Sequence, residues 1–281
     1  MYNPTEISEF YNNYGVREWE RLDLSAYDRI NYYLHMHFLK EHIGEGKSVL
    51  DAGCGAGRFS VEIAKCGSKV TLLDISSEQL RLAEDKLKEE NLEANVDAVI
   101  LADLRDLSMI EDNKFDTVVC YGAPINYLLE NKEKAVKELV RVTKKGGNIL
   151  ISVNSKWGVI RSQLGKEDFD YTSFFGNPDY WFIDKVIDTG DLPKHEMVNH
   201  PPRHFFEAQE LEDLLSDAGV ENIILGGSPC VTSGFRKAAE MLEKDETAWR
   251  TILSLEEKAY CTKTMVDNGE FLLAKGIKKQ V

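Results

Sequence analysis

Three glycines at alternate positions constrain this chain more than any other feature. In the run VLDAGCGAGRFS, from Val49 to Ser60, Gly53, Gly55 and Gly57 follow an apolar strand end, Val49-Leu50. A helical pattern begins at Phe59. Strand, glycine turn, helix opens a βαβ unit, in which bare backbone approaches a ligand and a helix N-terminus faces it. A βαβ unit needs a parallel sheet covered by helices, so the turn selects the fold class.

The rest of the chain repeats that alternation. Ser48–Asp51 reads as a first strand, Arg58–Cys66 as a helix stopped by Gly67, and Lys69–Asp74 as a second strand. From Ser76 to Asn91 the pattern is helical: Leu80, Ala83 and Leu87 share a face, and Ser76 with Gln79 fits a capping box. VDAVILAD (96–103), FDTVVCYG (115–122) and NILISV (148–153) read as the third, fourth and fifth strands. Between the last two lies the helix KEKAVKELVRV, with Asn131 as its cap and KKGG as its stop. From Asn154 to about Arg203 the alternation lapses; this aromatic, polar segment is too long for a bare connection and reads as an insertion. Alternation resumes with a helix ended by Gly219, a sixth strand ENIILGG, a helical stretch over 232–264 and a last strand GEFLLAKGIKK. The expected organisation is an α/β, doubly wound core of residues 45–153 and 204–281. Residues 1–44 form a helical cap or lid, and 154–203 a substrate-facing insertion.

Composition narrows the partners. Forty-eight acidic against 34 basic residues give a net charge of −14, and the bases are interleaved with acids, as in DKLKEEN. That field repels nucleic acid, so neither tRNA nor duplex DNA is an expected ligand. The apolar runs are too short to cross a bilayer, and the polar, acidic start MYNPTEISEF has no signal core. The expected location is cytoplasmic, as a monomer or homodimer. Five scattered cysteines (54, 66, 120, 230, 261) without a CxxC pair point to reduced thiols and no metal site. Cys54, inside the turn, reads as a small packing residue.

A dinucleotide turn is G-x-G-x-x-G, and Arg58 stands where its third glycine belongs. The run present is D-x-G-x-G-x-G, from Asp51 to Gly57. A carboxylate there repels a pyrophosphate and suits a ligand with an amino group and a positive centre. VLDAGCGAG resembles the first motif of the class I S-adenosylmethionine-dependent methyltransferases. VTLLDIS resembles their second, which implies that Asp74 holds the ribose hydroxyls, with Ile75 beside it. LADLRDL resembles the third: Asp103 would meet the adenine amino group and Leu104 would lie along the ring, with Asp106 a neighbouring candidate. FDTVVCYGAPINYLL resembles the fourth, with Tyr121 and Gly122 past the strand tip. RVTKKGGNILIS and GEFLLAKG are similar to the turn before the fifth strand and to a last, antiparallel strand. The resemblance implies a Rossmann-like, mostly parallel seven-stranded sheet and S-adenosyl-L-methionine as cofactor.

Methyl transfer asks mainly for alignment, so a catalytic residue need not show in sequence. Tyr121, His200 and His204 are the candidates for a base or a substrate hydrogen bond; His195 completes a loose histidine group. YGAPIN lacks the Asn/Asp-Pro-Pro-aromatic motif of enzymes that methylate nucleic-acid bases, and no cysteine cluster suits arsenic. FYNNYGVREWERL and YGAPINYLL together resemble a microbial subgroup acting on small molecules, in which an N-terminal helix closes over the cofactor. Tyr11 and Tyr14, with Phe10 and Trp19, would wall the sulfonium; Arg17 or Arg21 would meet a carboxylate. The expected activity is methylation of a small molecule at O, N or C. A non-catalytic S-adenosylmethionine-binding regulator, a methyltransferase of protein or RNA, and a nicotinamide oxidoreductase are the alternatives.

Overall fold

Adjacent residues of the first strand, β1 (Ser48–Ala52), go to opposite sides: Val49 joins one apolar cluster and Leu50 the other. A strand sorts neighbours this way, and a strand that is apolar on both faces belongs in the middle of a sheet. The computed structural model describes residues 1–165, 170, 172, 176, 181–194 and 200–280. In it β1 pairs in parallel with β2 (Lys69–Asp74) and β4 (Phe115–Cys120). β3 (Val96–Leu101) lies outside β2, and its alternating exposure marks an edge. β5 (Thr143–Asn154) continues beyond β4. β6 (Asp191–Leu192) and β7 (Arg203–His204) form a separate ladder in the insertion. β8 (Val220–Ser228) and β9 (Phe271–Lys278) complete the main sheet, β9 lying antiparallel between β5 and β8. The order β3-β2-β1-β4-β5-β9-β8 has seven strands and is the expected Rossmann-like sheet.

Helices cover both faces. On one side pack α3 (Ala26–Leu39), α4 (Arg58–Lys65) and α5 (Ser77–Glu89), through Ile30, Leu34, Phe38, Ile63 and Leu87. On the other pack α6 (Lys132–Val142) and the helix Ala208–Asp217, through Val136, Leu139, Leu211 and Leu215. Ahead of α3 lie α1 (Pro4–Tyr14) and the single turn α2 (Arg17–Glu20). Pro4 opens α1 and the Asn3 side chain caps it, as the φ-locked ring and short amide favour. The insertion also holds helices Lys156–Leu164 and Trp181–Thr189. His195 and most of the aromatic run 166–180 lie outside the described residues.

Three local readings of the sequence differ from the structure. The Ser76 hydroxyl caps α5 by accepting from Gln79 N, but the Gln79 amide does not return the bond. It donates to Tyr11 O at 2.9 Å and Gly15 O at 3.0 Å, tying the N-terminal segment down. Asn131 occupies the cap position of α6 without a side-chain bond. The KKGG run lies inside β5, where the register against β4 shifts.

Candidate functional site

The carboxyl ends of β1 and β4 diverge where the strand order reverses, the place at which open α/β sheets hold ligands. Gly53 N and Cys54 N donate to Leu73 O at 2.7 and 3.0 Å, which folds the glycine turn against the end of β2. Gly53, Gly55 and Gly57 have φ of +75°, +52° and +83°, a region that side chains strain. A Cβ on Gly53 would lie 2.5 Å from Pro124 Cγ, and one on Gly55 3.0 Å from Glu18 Cγ. Those two glycines line the cleft. Gly57 does not: its Cβ would meet Ala83 at 2.8 Å, so it lets α4 close on α5.

Asp74 ends β2 at the floor of the cleft. Its two oxygens accept from Gly55 N at 2.9 Å and Ser76 N at 2.8 Å. Burial pushes its carboxyl up to about 6 against those N–H groups, and the nearby Glu18 charge adds to the rise. Asp51 is different. It is 1% exposed and receives the Ser60 hydroxyl at 2.5 Å, fastening β1 to α4. Burial pushes it up to about 7.

The cleft above the turn holds about 610 Å³ of space between its walls, the open solvent at its mouth included. Gly53, Gly55, Asp74, Ile75, Leu104, Tyr121 and Tyr11, all singled out in the sequence, line it. Asp51, Gly57, Asp103 and Tyr14 do not. Asp103 faces Arg105, which donates to it through Nε at 3.1 Å and Nη2 at 2.8 Å, and takes the Tyr2 hydroxyl at 2.9 Å. Ala102, Tyr2, Ile7, Glu18, Gly122, Pro124 and Tyr127 are lining residues that the sequence reading did not select.

A second cavity adjoins the cleft. Tyr11, Glu18, Gly122 and Tyr127 belong to both walls. Phe10, Tyr14, Arg21, His200, Arg203, Arg236 and Phe271 are among its remaining walls. Phe10 and Tyr14 stack at 5.7 Å, and the His200 ring lies 5.1 Å from Phe10. Of the three catalytic candidates, His200 is at this cavity. Tyr121 is 3% exposed in the cleft wall, and burial drives its phenol well above the ordinary range. His204 is clamped: Nδ1 lies 2.7 Å from Asp191 and Nε2 2.7 Å from Glu210. Both ring nitrogens are taken, and His204 has a structural place. No group of three His, Cys, Asp or Glu suited to a metal occurs among the described residues.

A family model described as a methyltransferase domain matches residues 49–147. The ubiquinone/menaquinone biosynthesis C-methyltransferase UbiE of Francisella tularensis subsp. novicida is 29% identical over 225 residues, spanning 76% of this chain and 84% of the relative. An S-adenosylmethionine-dependent methyltransferase structure from Thermotoga maritima is similar at TM-score 0.55 and 20% identity, covering 96% of this chain and 99% of that one. Phosphoethanolamine N-methyltransferase 2 of Haemonchus contortus, solved with phosphomonomethylethanolamine and S-adenosylhomocysteine, is similar at TM-score 0.54 and 18% identity, over 91% of this chain and 56% of that one. This chain carries a methyltransferase domain over residues 49–147, in the fold of the S-adenosylmethionine-dependent methyltransferases. The cofactor of the methyltransferase is S-adenosylmethionine, and the cleft fits it. Gly53 and Gly55 line the cleft with bare backbone, Asp74 offers a buried acceptor of the kind ribose hydroxyls need, and Ala102, Leu104 and Ile75 give an apolar slot.

Proposed function

We propose that the enzyme methylates a small molecule seated in the second cavity. The observation that carries this reading is the shared wall: Tyr11, Glu18, Gly122 and Tyr127 border both spaces, which sets the second cavity beside the cofactor cleft. Both spaces are roofed by the chain's own N-terminal segment. Tyr11 Oη donates to Tyr127 Oη at 3.0 Å, and Ser8 Oγ to Ile75 O at 3.0 Å. A roof of that kind suits a compact acceptor.

S-adenosylmethionine, when bound, supplies a methyl group already activated on a sulfonium. The residues supply position and exclusion of water. Asp74 accepts the ribose hydroxyls, and bare backbone at Gly53 and Gly55 receives the methionine end. Leu104, Ala102 and Ile75 flank the adenine, with Asp103 held behind them by Tyr2 and Arg105. Tyr11 in the cleft wall, and Phe10 and Tyr14 across the shared wall, present ring faces to positive charge. His200 is the imidazole placed to take a proton from an acceptor that arrives protonated.

The test is transfer of radiolabelled methyl from S-adenosylmethionine with a bacterial extract split by size. Label in the small-molecule fraction supports the reading. Label confined to protein or RNA overturns it.

A further inference from the structure

We propose that the methyl acceptor is an anion whose carboxylate or phosphate group is received by Arg203. The proposal rests on the small-molecule reading above and names the chemistry of that molecule. Three guanidinium groups stand in the second cavity: those of Arg21, Arg203 and Arg236. Two already have carboxylates. Arg21 Nε lies 2.6 Å from Glu18, and Arg236 reaches Glu270 at 3.3 Å and Asp28 at 3.6 Å.

Arg203 has no carboxylate partner among the described residues. Its Nε is buried and makes no hydrogen bond among them, and its guanidinium carbon lies 5.1 Å from the Phe205 ring. The chain carries 48 acidic residues against 34 basic ones, so scarcity of carboxylates does not account for this. Buried polar groups are normally paired, and one left over at a cavity wall awaits an acceptor from outside. A guanidinium fork matches the two oxygens of a carboxylate or phosphate.

The surrounding residues hold Arg203 in place. It sits on β7, opposite Leu192 of β6. Its neighbour His204 is gripped by Asp191 and Glu210, and the Asn126 amide donates to His204 O. The charge is therefore presented from an anchored strand. Phe10 and Tyr14 supply a flat wall in the same cavity, which suits a ring or an unsaturated chain attached to the anionic group.

The test uses the full chain saturated with S-adenosylhomocysteine and three probes: benzoate, phenyl phosphate and benzyl alcohol. Binding is read by ligand-observed NMR and calorimetry. Benzoate, phenyl phosphate or both are expected to bind at least tenfold tighter than benzyl alcohol, and their ratio tells a carboxylate from a phosphate site. Arg203→Met is expected to erase that preference and Arg203→Lys to keep part of it. Both variants keep wild-type affinity for S-adenosylhomocysteine. Equal binding of the charged and neutral rings, or a preference that survives Arg203→Met, overturns the anion proposal and leaves the small-molecule reading standing. If none of the three probes binds, the anion proposal is overturned, while the small-molecule reading stands or falls on the labelled-methyl transfer.

Discussion

Glu18 and Arg21 form an ion pair, 2.6 Å from Oε1 to Nε, at the threshold between the cofactor cleft and the second cavity. Glu18 lines both spaces, and Arg21 leans on the bare backbone of Gly122. The pair couples the N-terminal segment to the electrostatics of Asp74, because the Glu18 charge is one cause of that carboxyl's rise to about 6, after burial. Only the ionised carboxylate accepts two ribose hydroxyls. Affinity for S-adenosylhomocysteine is therefore full above about pH 6 and falls by roughly tenfold per pH unit below it. Glu18→Gln moves the break to lower pH, and Asp74→Asn removes it. Calorimetry from pH 5 to 8 reads the profile; a flat wild-type curve contradicts the role of Asp74.

Gly57 is a packing glycine. A methyl group there would lie 2.8 Å from Ala83 Cβ and 2.9 Å from its Cα, on a backbone with φ of +83°. Gly57→Ala is expected to lower stability by about 2–4 kcal/mol, from left-handed strain together with overpacking. At Gly55 the obstacle is the flexible Glu18 side chain at 3.0 Å, which yields. Gly55→Ala costs about 1 kcal/mol of stability and weakens cofactor binding far more. Urea unfolding beside S-adenosylhomocysteine titration separates the two; equal stability losses would contradict the distinction.

His204 is 4% exposed, and its removal leaves Asp191 and Glu210 facing each other. His204→Ala is expected to lower Tm through the loss of about 2–3 kcal/mol. The folded variant keeps its affinity for S-adenosylhomocysteine. A variant of unchanged Tm would show that the clamp carries no stability.

The N-terminal segment divides at Gly15. α1 buries a single residue, Ile7, and is held otherwise by polar bonds such as Asn12 to Ser76 at 2.7 Å. Beyond it Leu22 is 3% exposed and α3 is core. Within the cap or lid of residues 1–44 expected from sequence, the structure puts the natural cut after Gly15, because Leu22 belongs to the core. Elements with few buried apolar side chains open first. Deleting residues 1–15 is expected to leave the core folded and to weaken S-adenosylhomocysteine binding at least tenfold. In the full chain, ligand slows amide exchange over residues 8–22. Undiminished affinity in the truncated chain means that α1 is no lid.

The sheet was legible because its signals are local and periodic: apolar runs of strand length, helical faces between them and glycines where backbone must turn. Asp74 was legible for the same reason, since a carboxylate ending β2 in a βαβ unit has few other places to point. Asp51 has a packing partner that the sequence did not signal. It lies two residues after Val49, on the pleat side where α4 packs, and there Ser60 meets it. The partners of His204 stand 13 residues before it and 6 after it, in an insertion without periodicity. Tyr2 reaches Asp103 across 101 residues of sequence. No pattern within either short segment signals a contact of that span. Gln79 shows the same limit: a local capping rule was outweighed by two carbonyls of the N-terminal segment.

The most direct test of the account is calorimetric titration of S-adenosylhomocysteine into the wild-type chain and into Asp74→Ala at pH 7.5. Two hydrogen bonds to a charged acceptor, at about 1.5–3 kcal/mol each, correspond to a loss of roughly a hundredfold or more in affinity. The account predicts saturable one-site binding to the wild type and that loss in the variant, with no heat from NAD in either. Wild-type affinity in Asp74→Ala, or binding of NAD in place of S-adenosylhomocysteine, would contradict it.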